Sequence, residues 1–270
     1  MSSVLIRITC TDGSLKVSRL RGHIVRELLK IKNTGKNDNV TLTRSSQNHY
    51  RSAESLKNAL IGIDVVVNIH LFAEQAKAAG VKLFVPSEFG DSTDRENPEG
   101  VFPIQVSVHH ELKELDLPYA LFFTEPHADY CFVSGDSAIG LDLNGGNVTV
   151  GLDGNAPNSQ QDVGRFVAYV LTTLPRSKLE WRRVFRIEAE RKSFNQIFKE
   201  QEERTGKRLN VTYRSESELR AAIAKNPSDL GSILQLDWGL GGGLVGTLDR
   251  LSVSKYPDWN PKSTANILYP

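Results

Sequence analysis

The stretch Ala78–Gly90, AAGVKLFVPSEFG, constrains the fold more than any other part of the chain. A helix tail ends at Gly80, and an apolar run follows from Val81 to Val85. The run stops at Pro86 and opens into the polar turn Ser87-Glu88-Phe89-Gly90. A short apolar run with little polar alternation suits a strand covered on both faces, as in a parallel sheet with helices on either side. Ligands of such sheets bind outside the carboxyl ends of the strands. Ser87 to Gly90 is therefore the first place to expect a site.

The flanking chain repeats the pattern. Val4 to Ile8 reads as a first strand, and Ile24, Val25, Leu28 and Leu29 carry helical spacing over residues 22–32. Asn33 to Asn39 is a loop by composition, and Val40 to Thr43 is a second strand ending at Arg44. A short helix closes over Leu56 to Leu60, Gly62 turns the chain into a strand at Asp64 to Val67, and a helix from Leu71 to Ala79 leads to Val81. The helix Val106 to Leu115 and the strand Tyr119 to Phe123 extend the series. Strands alternating with helices specify βαβ units and a parallel sheet with right-handed crossovers.

Residues 134–158 are rich in Gly and Asn, with a strand expected at Val148 to Gly151. Asp162 is placed to cap a helix over Val163 to Leu174. A strand at Val184 to Ile187 and amphipathic helices at Phe194 to Arg204 and Glu216 to Lys225 follow. A boundary near Ser134 divides the chain into a cofactor side, residues 1–133, and a substrate side, residues 134–270, interleaved with the first.

Composition narrows the function. A chain of 270 residues accommodates one large α/β domain or one domain plus a cap. The formal net charge of +1, without a basic stripe, argues against a nucleic-acid partner, and Trp181-Arg182-Arg183 reads as a solvated strand face. Two cysteines, Cys10 and Cys131, make no disulfide framework and fit a reducing, cytoplasmic setting. The stretch MSSVLIRITCTDG is too short an apolar run for a secretory leader, and no apolar stretch approaches a membrane span. No metal-ligand pattern is evident.

Several segments resemble, in order, those of the NmrA-like and isoflavone-reductase-like proteins, an atypical branch of the short-chain dehydrogenases. They are VTLTRSS (Val40 to Ser46), ALIGIDVVV (Ala59 to Val67), AGVKLFVPSEFG, LPYALFF (Leu117 to Phe123), QDVGRFVAYVL (Gln161 to Leu171) and YPDWNP (Tyr256 to Pro261). The resemblance implies an α/β fold: a Rossmann-type parallel sheet flanked by helices, with a smaller C-terminal α+β substrate region. It also implies NADP (NADPH) as cofactor and a small-molecule substrate, with Pro86, Ser87, Glu88 and Phe89 beside the cofactor.

The phosphate end departs from that pattern. The family carries a short turn with three glycines after the first strand, which lets a pyrophosphate approach the backbone and the helix N-terminus. This chain has TCTDGSLKVSRLRGH, where only Gly13 and Gly22 remain as candidates. Lys16, Arg19 and Arg21 in that segment have two readings, phosphate pairing and a solvated loop. Arg44 stands where the resemblance places a cation for the 2′-phosphate of NADP, and a forked guanidinium suits that dianion. Gly241, Gly243 and Gly246 spell G-x-G-x-x-G, but too little chain follows for a βαβ unit, so they read as a loop. After Val67 the chain passes through Asn68-Ile69-His70 almost at once into a helix, a connection shortened by about two or three helical turns. His70 is the nearest imidazole to the cofactor edge, but a surface or helix-capping histidine is the preferred reading.

The catalytic position departs too. Family reductases use a lysine on the helix after the PSEFG turn, and alignment of VFPIQVSVHHELKELDLPY puts Gln105 there. Glutamine does not titrate and supplies no general acid. His109 lies four residues on, on the same helix face, and is a candidate substitute acid, with an exposed polar histidine as the alternative. Glu125 and His127 stand where the family has a glycine and an aromatic. A carboxylate there disfavours apolar substrates unless it is paired. Tyr119, Phe122, Phe123 and Tyr130 are open to two readings, pocket wall and core. Three functions follow: an NADPH-dependent reductase of small, including aromatic, carbonyl or enone compounds; a non-catalytic dinucleotide sensor with a regulatory protein partner; and a degenerate paralogue without cofactor.

Overall fold

The computed structural model describes residues 4–8, 15–33, 40–43, 52–68, 72–94, 103–133, 141–143, 145–153, 159–179 and 183–268. Its first half is a run of βα units: β1 (Val4–Ile8), α1 (Leu15–Asn33), β2 (Val40–Thr43), α2 (Ala53–Leu60), β3 (Val65–Asn68), α3 (Ala73–Ala78), β4 (Leu83–Pro86), α4 (Pro103–Glu114) and β5 (Ala120–Thr124). The strands lie in the order β2-β1-β3-β4, all parallel. A parallel bridge from Phe84 to Tyr119 carries the sheet on to β5, and β5 pairs in parallel with β8 (Arg183–Ile187).

Strand side chains alternate between faces, and the buried residues sort accordingly. Val65, Val67, Leu83, Val85, Ala120, Phe122, Phe185 and Ile187 face one layer, against Leu20, Ile24 and Leu28 of α1 and Val163, Phe166, Val167 and Val170 of α5 (Gln160–Thr173). Val66, Phe84, Leu121 and Phe123 face the other, against Leu56 and Leu60 of α2, Ala73 and Ala76 of α3, and Val108 and Leu112 of α4. Double coverage explains why these strands read as unbroken apolar runs.

Helix α1 begins at Leu15, seven residues before the start expected from the sequence. Leu20 joins Ile24 and Leu28 at four-residue spacing in the core, and Lys16, Arg19 and Arg21 of the added turns are good helix formers. The α1–α5 contact is close because Gly164 has no side chain. A Cβ there would stand 2.8 Å from His23 Cβ and 3.0 Å from the Ile24 amide nitrogen. Helix α5 is capped by Ser159, whose side chain accepts from the Gln161 and Asp162 amides. Asp162, expected as the cap, instead lies in the first turn. It pairs with Arg165 at 3.0 Å and accepts from the Lys262 amide at 2.8 Å.

The second half adds a small sheet of β6 (Leu141–Asp142), β7 (Asn147–Gly151) and β9 (Asn210–Arg214), in that order, with α6 (Phe194–Thr205), α7 (Glu216–Lys225), α8 (Leu230–Gly239) and α9 (Thr264–Leu268). Capping boxes at Ser193/Gln196 and Ser215/Glu218 start α6 and α7. This region has its own core, including Phe132, Val148, Val150, Phe194, Ile197, Phe198 and Trp238. Within it the GGGLVG segment forms the turn after α8. A Cβ at Gly242 would stand 2.1 Å from Asp237 Oδ2, so this glycine serves close packing and not phosphate binding.

Candidate functional site

Strand order reverses between β1 and β3, the switch point where doubly wound sheets open a crevice at their carboxyl edge. The segments leaving β1 and β3 there carry Gly13 and His70, and the segment after β2 carries Arg44. All three residues lie outside the described residues. Gly22, a candidate phosphate-binding glycine at the expected start of the helix, lies inside α1 and belongs to no phosphate-binding turn. Gln105 falls in the first turn of α4, at the carboxyl-edge end of that helix.

The turn after β4 is braced from below. Pro86 pairs in register with Asn68 of β3, and the Glu88 amide donates to the Pro86 carbonyl at 2.8 Å. Glu88 points inward and is 2% exposed. Its Oε2 accepts from Thr93 Oγ1 at 2.6 Å, and its Oε1 lies 2.6 Å from His109 Nε2. The expectation of an exposed His109 is overturned. The ring is buried, stacks on Tyr119 with centroids 6.1 Å apart, and commits Nε2 to Glu88. Ser87 Oγ, one residue before Glu88, is buried with no hydrogen-bond partner. Phe89 stacks on Phe122 at 6.0 Å. Phe122, Phe123 and Tyr119 are core residues, while the side chain of Tyr130 is outside the described ones.

Glu125 and Glu188 follow β5 and β8 directly and end the paired register side by side. Glu125 is fully buried, and neither of its oxygens meets an N–H or O–H donor. Burial, with the neighbouring Glu188 charge, pushes its pKa well above the carboxylate range. Glu188 is held in the fork of Arg191, at 2.9 and 2.6 Å, and Arg191 also donates to the Gly246 carbonyl at 2.7 Å. Nearby, the buried Arg186 ties three segments together. It donates to Ser92 Oγ at 2.6 Å, to Asp94 Oδ2 at 2.5 Å and to the Val245 carbonyl at 2.5 Å. The loop after β4 and the loop after α8 are thereby fixed against the same edge.

His127 completes the edge. Its Nε2 lies 3.1 Å from the Phe89 carbonyl oxygen, and its Nδ1 is buried without a partner. Burial lowers its pKa to about 4, so the imidazole is neutral near pH 7. Asp129 follows in a single π-helical turn, Asp129–Val133, and its Oδ2 accepts the Gln160 amide at 2.7 Å. Gln160 is 4% exposed, and its Oε1 has no donor. Sequence reasoning missed Glu188, Arg186, Arg191 and Gln160. Only the parallel pairing of β5 with β8 brings the first three to this edge, and no local motif marks them.

Unpaired buried polar atoms are uncommon in native interiors and call for an explanation such as a ligand. Ser87 Oγ, His127 Nδ1 and Gln160 Oε1 belong to segments tied together beyond the ends of β4 and β5, by His127 on the Phe89 carbonyl and by the Gln160 backbone N–H on Asp129. This is the side of a switch-point crevice toward which a bound dinucleotide would extend. No helix among the described residues is long and apolar enough to cross a membrane, and no group of three or more His, Cys, Asp or Glu among them is arranged to hold a metal ion.

Fold and edge together define a doubly wound α/β protein of the Rossmann type, capped by a small α+β region. The NmrA-like family model matches residues 22–236, and the chain belongs to that family. A eugenol synthase from Petunia hybrida is 26% identical over 201 residues, which cover 68% of this chain and 65% of the synthase. The chain thus spans about two thirds of the length of that curated relative. Among solved structures, an isoflavone reductase superposes with a TM-score of 0.74 at 21% identity, covering 99% of both chains. An NADPH-dependent quinone oxidoreductase from Escherichia coli, complexed with NADPH, gives 0.70 at 18% identity, covering 97% of this chain and 98% of the other. The expected family and fold class are those found.

Proposed function

We propose that this chain is an NADPH-dependent reductase of small carbonyl or enone compounds, with its site at the carboxyl edge of β4 and β5. The observation that carries the reading is the set of unpaired polar atoms at that edge, Ser87 Oγ, His127 Nδ1 and Gln160 Oε1, on a sheet whose switch point suits a dinucleotide. The relatives agree: the quinone oxidoreductase is described as NADPH-dependent, and a further neighbour holds NADP+ and (+)-pinoresinol.

In this reading residues 1–133 form most of the cofactor side, and Gly13 and Arg44 serve the phosphate end. Pro86, Ser87 and Phe89 border the nicotinamide, which supplies hydride when bound. Glu88 and His109 act behind the turn as positioning residues, since they are committed to each other and to Thr93. Gln105 orients through its amide and does not titrate. Glu125 keeps its proton through burial and is the carboxyl at this edge poised as a neutral acid.

Gln105 at the lysine position favours one further reading, a dinucleotide sensor that binds cofactor without turnover. Fluorescence titration with NADPH, followed by turnover on a panel of quinones and enones, separates the two. Saturable binding with oxidation of NADPH is the expected result, and binding without turnover on any acceptor selects the sensor. Gain of activity in Gln105→Lys would identify that position as the proton-transfer site.

A further inference from the structure

Where the family resemblance places an apolar aromatic, this chain has His127, and the structure fixes its tautomer. Nε2 lies 3.1 Å from the Phe89 carbonyl oxygen. A carbonyl only accepts, so Nε2 carries the proton and Nδ1 keeps a bare lone pair. That Nδ1 is buried and meets no donor. Burial favours the neutral ring, which preserves the lone pair.

A second unpaired acceptor belongs to the start of α5, which is held by Asp129, two residues along the chain from His127. Gln160 is 4% exposed at the start of α5, and its Oε1 also lacks a donor. The Gln160 backbone N–H donates to Asp129 Oδ2 at 2.7 Å, and the Asp129 charge also acts on His127. Asp129 therefore links the two. Buried acceptors left unpaired are penalised, and the penalty is relieved when an incoming group supplies the missing donor. A site built to hydrogen-bond a hydroxyl or N–H rejects the analogue that lacks it.

We propose that His127 Nδ1 and Gln160 Oε1 form an acceptor subsite that takes an O–H or N–H donor of the bound ligand. The subsite makes the chain selective for hydroxylated small molecules over their ethers. This inference rests on the reductase reading for the position of the ligand. A phenolic hydroxyl of the substrate and the primary amide of the nicotinamide offer the same donor chemistry, and the test tells them apart.

The full chain, with saturating NADP+, is titrated calorimetrically with 4-hydroxybenzaldehyde and with 4-methoxybenzaldehyde. The phenol is expected to bind about tenfold tighter than the ether, the worth of one hydrogen bond to a buried acceptor. His127→Phe and Gln160→Met should each remove most of that preference while leaving the circular dichroism spectrum unchanged. In the unmutated chain labelled with 15N-histidine, the Nδ1 resonance of His127 should shift toward that of a hydrogen-bonded acceptor with the phenol and stay in place with the ether. This readout holds even if a variant fails to fold. Loss of NADP+ affinity by about tenfold in His127→Phe, with no phenol preference in the parent, assigns the donor to the cofactor amide and keeps the subsite. Equal affinity for phenol and ether, an unmoved Nδ1 resonance and unaltered NADP+ affinity in both variants overturn it. A parent chain that does not bind NADP+ refutes the reductase reading instead, and the phenol and ether titrated alone then decide the subsite.

Discussion

The two faces of the main sheet and its carboxyl edge are made by the same strands under opposite rules. On the faces, alternate residues of β3, β4, β5 and β8 are apolar and buried against helices. Just past the ends of the same strands stand the buried Glu125 and Glu188, with Ser87 and His127 beside them, whose Oγ and Nδ1 atoms are buried without partners. Burial stabilises the faces because apolar surface leaves water. The same burial costs free energy at the edge, because the polar atoms lose water without a full set of replacements. Retaining such atoms beside a well-packed core supports the proposal that this edge is a site.

This contrast sets the signs of substitutions. The largest effect is expected on a face. Phe122, fully buried between Phe89 and Phe185, should cost about 3–5 kcal/mol as Phe122→Ala, measured by urea unfolding. An outcome below about 1 kcal/mol would mean the face collapses around the cavity and is less rigid than described. Next comes Arg186→Met. It leaves Asp94, Ser92 and the Val245 carbonyl without their guanidinium and should cost about 3 kcal/mol. Proteolysis near residues 91–94 and 241–246 should rise with it, and unchanged protection there would show that the two loops are held by other contacts.

Edge substitutions should act mainly through pH. The folded pKa of His127 is lowered from 6.5 to about 4. Between those values the unfolded chain binds the proton and the folded chain does not, so stability falls as pH falls from 6.5 toward 4. By pH 5 the loss is on the order of 2 kcal/mol, and His127→Phe should remove that part of the acid sensitivity. Urea midpoints of parent and variant between pH 5 and pH 7 provide the check, and parallel curves would place the imidazole in water. The smallest effect has the opposite sign. Glu125 holds its proton in the folded chain above its ordinary 4.5, so stability falls as pH rises from that value. Glu125→Gln should flatten this limb only in part, because Asp162 and Glu111 are shifted in the same direction by burial. A steeper limb in the variant would contradict a protonated Glu125.

The faces were legible in the sequence and the edge was not, for one physical reason. Periodicity reports which residues are covered, and the apolar runs at Val65–Val67, Leu83–Val85 and Leu121–Phe123 are covered on both sides. The start of helix α1 is hidden in the sequence because its first turns are cationic and polar, and only tertiary packing of Leu20 reveals them. Strand β9 is half exposed and α8 carries Gly and Ser among its leucines, so neither gives a clean period. The burial of His109 is not legible locally because its partner, Glu88, lies on another element. The orphaned lone pair of His127 depends on a carbonyl 38 residues away, a relation no local pattern encodes. The PSEFG turn could be placed from sequence because its position follows from the strand that precedes it.

The central claim is that the carboxyl edge takes a dinucleotide. Equilibrium titration of the full chain with NADPH, followed by protein and cofactor fluorescence, tests it most directly. The account predicts saturable, stoichiometric binding with a dissociation constant well below about 1 mM. Fluorescence that changes only linearly with added NADPH up to millimolar concentration would contradict it.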